Sequence, residues 1–508
     1  MNKLPVRPPI WNKARVDQQV CIVIGARRRR FAFFNETGTG KTFLSIALQR
    51  YFKKARIAGC ALILVPNKQN KWEWLEEGFQ KHSPKSKAVV LNGSSEDKWA
   101  MIEENPDADA FIETYAGLMR MVCDMKKDKR KRSRGKKKNR LVPNREKVKR
   151  LCALFDQIYL DESTYVKNRS KLPWRICNKL SEAAKCFFIL TATPFGKNLE
   201  DVWGQIFLVD RGYTLGENLT LFRAAFYDET INYWGGHDYK LRSKSKREVS
   251  EYLDNVSIAY PADETTMPHL TRIPRYATLG EDGESYYEKA RRQIIEARGD
   301  KMEQKNAFMM MRQISSGFIG FKNEAGERAR FELAENPKLE LLEGLVDGFD
   351  PAHKFIIFHE FLYSGKVIAE MLKEKGIKFV TLNGNTKNGK EVRHAFRHDP
   401  WTQCILLSNS AGGYGLNLQN AKYGIYYESP VGAILRKQTE KRFDRQYSLH
   451  KKVVLFDLIV RGTADQSILN FHEEGRSLWK AILNDGPQVL EPERPRVIKP
   501  RREILRVA

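Results

Sequence analysis

The chain has 508 residues, of which 42% are hydrophobic, enough to bury a sizeable core and too many for a wholly disordered protein. Lys and Arg number 88 and Asp and Glu 62, leaving +26, a balance that points to a polyanionic partner, nucleic acid before a membrane surface. No apolar run approaches the roughly 20 residues of a membrane-spanning helix, Met1–Asn12 carries no signal-peptide core, and the seven cysteines never fall as CxxC, which argues for a reducing compartment and against a zinc ribbon or a disulfide framework.

In chain order, short apolar runs bounded by turn residues mark strands at 31–34 (FAFF), 60–65 (CALILV), 110–112 (AFI), 157–160 (QIYL) and 186–190 (CFFIL). Helical patterns lie between them, as at Thr42–Lys54 with apolar Phe43, Ile46, Ala47 and Tyr51. Buried strands alternating with helices predict a parallel sheet covered on both faces. Residues 126–140, KKDKRKRSRGKKKNR, hold eleven bases and one acid and read as a basic insertion near 120–150. The stretch 211–335 is charged and helix-like, with strand signal only around Pro268–Leu279. The strand pattern returns at 354–358, 378–382, 404–408, 423–427 and 453–460, and Pro487–Ala508 reads as a Pro- and Arg-rich tail. The fold class expected is α/β: an N-terminal lobe over 1–210, a mostly helical linking region over 211–335, a C-terminal lobe over 336–480, and a basic tail over 481–508.

The sharpest motif is N35-E-T-G-T-G-K-T42, directly after the first strand and directly before a helix. Phosphate needs converging backbone N–H groups, which Gly38 and Gly40 permit, and the helix N-terminus adds partial positive charge. In this reading Thr37, Gly38, Thr39 and Gly40 line the loop, Lys41 reaches the β- and γ-phosphates and Thr42 holds Mg²⁺. Asn35 stands where the strict Walker pattern has Gly or Ala, so the match is to the looser GxGKT form. The strand QIYL ends in Asp161-Glu162. Alone, such a pair reads as a solvated turn. After a phosphate loop it reads as Asp161 holding Mg²⁺ and Glu162 orienting and deprotonating the attacking water. The strand CFFIL runs into T191-A-T-P194, hydroxyl residues placed to sense γ-phosphate, or by themselves a plain loop.

In the second lobe S410-A-G-G-Y-G-L-N-L418 follows a buried strand, and its glycines, Gly415 among them, allow close backbone approach to a phosphate. Then comes Q438-T-E-K-R-F-D-R445. Arg442 and Arg445 are three apart and on a helix would share one face, as an arginine-finger pair would. Spacing does not rank the two. Without a phosphate loop elsewhere, the same run reads as a basic solvated helix.

Taken in order, GTGKT, DExx, TATP, SAGGxGLNL and QxxxRxxR resemble a superfamily 2 helicase or translocase, and most of all its Swi/Snf-like branch. Lys167-Asn168 after Asp161-Glu162, the run F-G-K-N198-L-E-D-V-W203 after TATP, and the arginine spacing are similar to that branch. Gln18 sits where the family places its adenine-reading glutamine, Pro66 and Trp74 stand in the next motif, and Thr114-Tyr115 in the one after. The resemblance implies two RecA-like lobes, ATP and Mg²⁺ as ligands, and a DNA-dependent ATPase that moves along double-stranded DNA with weak sequence preference. Alternatives are a strand-separating DNA or RNA helicase and a non-catalytic basic nucleic-acid-binding protein. Thr164 stands where the family has His, so the family's link between the carboxylates and TATP is not expected through that side chain. Asp444 replaces the family's His before the second arginine, and Gln446-Tyr-Ser replaces Ile-Gly-Gln. With no chromatin-reading, zinc-ribbon or nuclease module visible, the expected source is a phage or bacterium, with a cytoplasmic setting, or a nuclear one in a eukaryote.

Overall fold

The computed structural model describes residues 4–127, 139–192, 194, 199–231, 237–261, 267–297, 300–323, 327–384, 386, 388–412, 418–445 and 448–473. The chain divides into two compact units, Met1–Met267 and Pro268–Ala508, each built around its own parallel sheet. These are the two RecA-like α/β lobes.

In the first unit the strands are β1 (Arg30–Phe33), β2 (Ala61–Val65), β3 (Ala88–Val90), β4 (Ala110–Thr114), β5 (Cys123–Lys127), β6 (Asn139–Pro143), β7 (Gln157–Asp161), β8 (Cys186–Leu190), β9 (Tyr227–Ile231), β10 (His237–Leu241) and β11 (Ser257–Ile258). Seven of them form one sheet in the order β11-β1-β8-β7-β2-β4-β3, every pair parallel. Strands β2, β4 and β8 are buried at every residue. That is why they read as continuous apolar runs rather than alternating ones: helices cover both faces. On one face the rings of Phe33, Phe52 and Tyr159 stack around Phe188, with centroids 5.9, 5.9 and 5.3 Å away. The helices Val16–Arg28 and Lys41–Lys54 pack there. The helices Tyr115–Val122, Arg145–Leu154, Leu172–Ala183 and Glu200–Asp210 cover the other face.

The second unit holds β12 (His269–Ala277), β13 (Phe318–Lys322), β14 (Arg328–Glu332), β15 (Lys354–His359), β16 (Phe379–Leu382), β17 (Cys404–Ser408), β18 (Ala421–Tyr426) and β19 (Lys452–Val460). Its main sheet runs β12-β19-β18-β15-β17-β16, again parallel throughout. Strand β12 is the strand signal near Pro268–Leu279. It lies at the sheet edge, where Pro274 is tolerated because only one side of the strand is paired.

The stretch 211–335, expected as a mostly helical linking region, is divided between the two units at Met267 and contains the helices Leu219–Phe226, Ser245–Leu253, Glu281–Glu296 and Lys301–Ile314. It also carries the antiparallel hairpins β9–β10 and β13–β14 and contributes β11 to one sheet and β12 to the other. Part of the basic run 126–140 belongs to a third hairpin, in which Cys123 to Lys127 pair with Pro143 to Asn139. Residues 128–138 and the tail 481–508 lie outside the described residues. All seven cysteines are free thiols. Among the described residues no helix is long and apolar enough to cross a membrane.

Candidate nucleotide site

The sheet order brings three of the motifs together. Strands β1, β8 and β7 are adjacent and parallel. The segments leaving their carboxyl ends are the phosphate-type loop, Thr191 to Pro194, and Asp161-Glu162. In an open α/β sheet ligands bind at this end.

The loop geometry follows from its glycines. Gly38 and Gly40 have φ of 87° and 84°, the left-handed region that a side chain disfavours. At Gly40 there is also no room, since a Cβ would collide with the side-chain amide of Gln18. The helix Lys41–Lys54 starts at the next residue. Lys41 Nζ donates to the carbonyls of Asn35 at 2.8 Å and Glu36 at 3.1 Å, and Thr39 Oγ1 donates to Glu36 O at 2.7 Å, closing the loop on itself. Buried Gln18 donates through Nε2 to Thr39 O at 3.0 Å, and its Oε1 accepts from Arg15 N at 3.1 Å. Arg15 donates to the same Thr39 carbonyl at 2.7 Å. Its part was not legible in the sequence, because nothing there places residue 15 beside residue 39.

Asp161 is held from three directions. Its Oδ2 accepts from Trp74 Nε1 at 2.8 Å, its Oδ1 accepts from Glu162 N at 3.1 Å, and its main-chain carbonyl accepts from Tyr115 OH at 2.8 Å. Burial pushes the Tyr115 phenol well above its ordinary range, so it stays a hydrogen-bond donor. Its ring stacks on Tyr165 at 5.2 Å, and Thr114 caps its helix by accepting from Gly117 N at 2.8 Å. Trp74 opens a π-helical turn, Trp74–Gln80. Gly78 of that turn lies so close to Thr42 that a Cβ would meet Thr42 Cγ2 at 3.0 Å. One short element therefore touches both expected metal-holding residues, Thr42 and Asp161.

Glu162 has φ 48° and ψ 58°, a left-handed backbone at a non-glycine residue. Its Oε2 accepts from Thr191 Oγ1 at 3.2 Å. The link from the carboxylates to TATP, not expected through Thr164, is made directly by Thr191. A second, buried connection runs alongside: Ser163 Oγ donates to Gln205 Oε1 at 2.6 Å, and Gln205 Nε2 donates to Pro194 O at 3.0 Å. Thr193 and Asn198 lie outside the described residues. Lys167 Nζ pairs with Asp201 Oδ2 at 2.8 Å.

In the second unit, buried Asn409 donates to Glu360 Oε2 at 2.7 Å and to Glu428 O at 2.9 Å, tying together the segments after β15, β17 and β18. Residues 413–417, with Gly415, and 446–447 lie outside the described residues. The arginine motif sits on the helix Ala433–Phe443. Arg442 and Arg445 do not share a helical face, because the helix ends before Arg445 and Asp444 leaves the helical region at φ −80°, ψ 88°. An acidic side chain at the negative end of the helix dipole favours that exit. Burial pushes the Asp444 carboxyl up from its ordinary value. Arg442 Nε is buried with no hydrogen-bond partner among the described residues. The helix is anchored by Arg436, which donates to Asp457 at 2.6 and 2.9 Å and to Glu440 at 2.6 Å, over the Tyr426 ring at 3.6 Å. Burial alone would favour a protonated Glu440, but Arg436 and Arg272 beside it hold its carboxyl below the usual value.

Residues 28–316 match the SNF2-related domain and residues 337–447 the helicase conserved C-terminal domain. The human SWI/SNF-related matrix-associated actin-dependent regulator of chromatin subfamily A member 1 is 24% identical over 477 residues, 89% of this chain and 41% of that protein. The chromatin-remodeling ATPase INO80 of Candida albicans is 30% identical over 156 residues, 30% of this chain and 11% of that protein. The chain thus spans less than half the length of these curated relatives. Among solved structures, the Sulfolobus solfataricus SWI2/SNF2 ATPase core in complex with dsDNA aligns over 94% of this chain and 93% of its own, at 19% identity and a TM-score of 0.40. The two-lobe architecture rests on the strand pairing above, not on that superposition. With more than half of its residues inside the SNF2-related match and the helicase C-terminal match following it, the chain belongs to the SNF2-related, Swi/Snf-like branch of the superfamily 2 helicases and translocases.

Proposed function

We propose that this chain is an ATP-driven motor that moves along double-stranded DNA without separating its strands. One observation carries the reading: a glycine-built phosphate loop, Asp161, and Glu162 bonded to Thr191 leave the carboxyl ends of three adjacent parallel strands. The pieces fit a nucleotide. Gly40 leaves a cradle that a Cβ would fill. Lys41 is held by loop carbonyls that a phosphate would replace as its partner. Thr42 and Asp161 are a hydroxyl and a carboxylate, the hard oxygen donors that Mg²⁺ takes.

In the proposed mechanism Thr37 to Gly40 bind phosphate through main-chain N–H groups, and Gln18 supports the loop and faces the base. Lys41 neutralises phosphate charge. Thr42 and Asp161 hold Mg²⁺, which supplies charge compensation at the phosphates when bound. Glu162 Oε takes a proton from the attacking water, and Thr191 orients that carboxylate. By the family resemblance, Arg442, Arg445 and Gly415 are assigned to the γ-phosphate. DNA is held mainly through phosphates, in keeping with the +26 charge and with weak sequence preference. The Sulfolobus solfataricus ATPase core is in complex with dsDNA, the same class of partner as the one proposed for this chain.

The chromatin-remodelling relatives favour a nuclear setting. These relatives and the Sulfolobus solfataricus core are eukaryotic and archaeal and lend no support to a phage or bacterial source. The test is the ATPase rate against duplex DNA, single-stranded DNA and RNA, with triplex displacement and fork unwinding run in parallel. Duplex stimulation with triplex displacement and little strand release is expected. Fork unwinding stimulated by single strands identifies a helicase instead. No turnover with any nucleic acid identifies a binding protein.

A further inference from the structure

Asn35 departs from the Walker pattern, and its surroundings give that departure a purpose. It is 4% exposed and sits at the first position of the phosphate loop. Its main-chain carbonyl accepts from Lys41 Nζ at 2.8 Å. Its side-chain amide reaches out in two directions. Nδ2 donates to Cys21 Sγ at 3.6 Å, on the Val16–Arg28 helix that also carries Gln18. Oδ1 accepts from Tyr260 N at 3.2 Å. The Gly or Ala of the ordinary pattern makes neither contact.

The Tyr260 contact ends a ladder. Ala32 N donates to Val256 O at 3.0 Å, Phe34 N to Ile258 O at 2.8 Å, and Glu36 N to Tyr260 O at 2.9 Å. The parallel pairing of β1 with β11 thus runs past the strand and onto the loop itself. Main chain on both sides of Tyr260 is committed: its carbonyl to Glu36, its N–H to the Asn35 side chain. From Tyr260 the chain runs eight residues to Pro268, where the second unit begins.

We infer that Asn35 is a positioning residue that fastens the phosphate loop at once to the Gln18 helix and to the segment Val256–Tyr260 leading into the second unit. Nucleotide in the loop and the state of that segment are then linked. The linkage is reciprocal by thermodynamic necessity: what tightens the loop tightens the segment, and strain on the segment loosens the loop's hold on phosphate. Lys41 is the reporter inside the loop, because it is bonded to the carbonyl of Asn35 itself.

The inference rests on the proposed reading of the loop as a nucleotide site, and the experiment separates the two. Hydrogen–deuterium exchange of the full chain is followed at the Glu36 and Tyr260 amides, with and without a non-hydrolysable ATP analogue. Affinity for a fluorescent ATP analogue is measured on the same samples. In the wild type the analogue is expected to slow exchange at both amides. In Asn35→Ala the Tyr260 response is expected to disappear and affinity to fall about tenfold, the scale of one buried hydrogen bond left unmade. Asn35→Asp keeps the acceptor for Tyr260 N–H and is expected to restore the Tyr260 response, which a general loss of packing would not allow. Cys21→Ala removes only the other arm and should leave the Tyr260 response intact. An unchanged Tyr260 amide in the nucleotide-bound wild type overturns the inference, whether or not Asn35→Ala folds. So does a wild-type response in Asn35→Ala. If instead Lys41→Ala binds the analogue as tightly as the wild type, the nucleotide reading itself fails.

Discussion

Thr191 donates a hydrogen bond to Glu162 Oε2 across 3.2 Å, joining the carboxylate pair after β7 to the TATP segment after β8. Glu162 is held in a left-handed backbone conformation, at φ 48°, which costs a non-glycine residue about 1–2 kcal/mol. The bond from Thr191 favours one orientation of the carboxylate, which suits the general-base role proposed for Glu162. Glu162→Gln is expected to keep ATP binding and to cut kcat by about 10² or more, some 3 kcal/mol of barrier. Thr191→Val is expected to lower kcat about tenfold with KM little changed. Steady-state turnover with duplex DNA checks both, and near wild-type turnover in Glu162→Gln would remove Glu162 from the mechanism.

Arg442 and Arg445 are separated by the helix end at Phe443 and so face their surroundings independently. Arginine fingers contribute about 10³–10⁵ in rate. One of Arg442→Ala and Arg445→Ala is expected to lose turnover on that scale while DNA binding, read by anisotropy, persists. Equal and small losses in both would end the finger assignment.

Glu113 is a buried carboxylate held between two buried lysines, Lys71 at 3.2 Å and Lys98 at 2.6 Å. It lies one residue before the Thr114-Tyr115 pair that supports Asp161. Burial pushes the Lys71 ammonium below its ordinary value, with Glu113 opposing that shift. Glu113→Ala strands two cations in the interior and is expected to destabilise the first unit by about 3–5 kcal/mol, measured by urea denaturation. A loss under about 1 kcal/mol would show that the cluster is solvated.

His472, on the helix Ala464–Glu473, is pushed down to about 4, chiefly by burial and further by Arg436. The folded value lies below that of a free imidazole, about 6.5. Below that pH the unfolded chain takes up a proton the folded chain refuses, so stability falls as pH drops from about 6.5 toward 4. Allowing for its partial exposure, about 2 kcal/mol is at stake. His472→Gln is expected to flatten this part of the stability profile, read as Tm between pH 7 and pH 4.5. A wild-type slope in the variant would place the titration elsewhere.

Residues 126–140 hold eleven bases and one acid, and the run's first two and last two residues belong to the paired strands β5 and β6. Replacing 128–138 by a short neutral turn is expected to weaken binding to all DNA sequences alike. It should also reduce the slope of log K against log salt by about 0.9 for each phosphate no longer neutralised. An unchanged slope would assign the run to solubility alone.

Both sheets were legible in the sequence because most of their strands are buried along most of their length: five apolar runs in each lobe coincide with β1, β2, β4, β7 and β8, and with β15 to β19. The phosphate loop was legible for a local reason, since its glycines, lysine and helix start are consecutive. The edge strands of the first sheet and the hairpins outside the two sheets were not. Strands β3 and β11 are three and two residues long, and hairpins β9–β10 and β13–β14 lie in charged sequence whose pairing is fixed by the partner strand rather than by an apolar period. Only the tertiary structure decided what holds the site: Trp74 on Asp161, Thr191 on Glu162, Arg15 on Thr39 and Tyr260 on Asn35. Each joins residues 24 to 225 positions apart. Such a contact leaves no local pattern, because its geometry comes from the order in which parallel strands enter the sheet, and that order is chosen by packing over the whole lobe. The end of the arginine helix at Phe443 belongs with them: the spacing of Arg442 and Arg445 suits a helix, and the turn at Asp444 is what separates them.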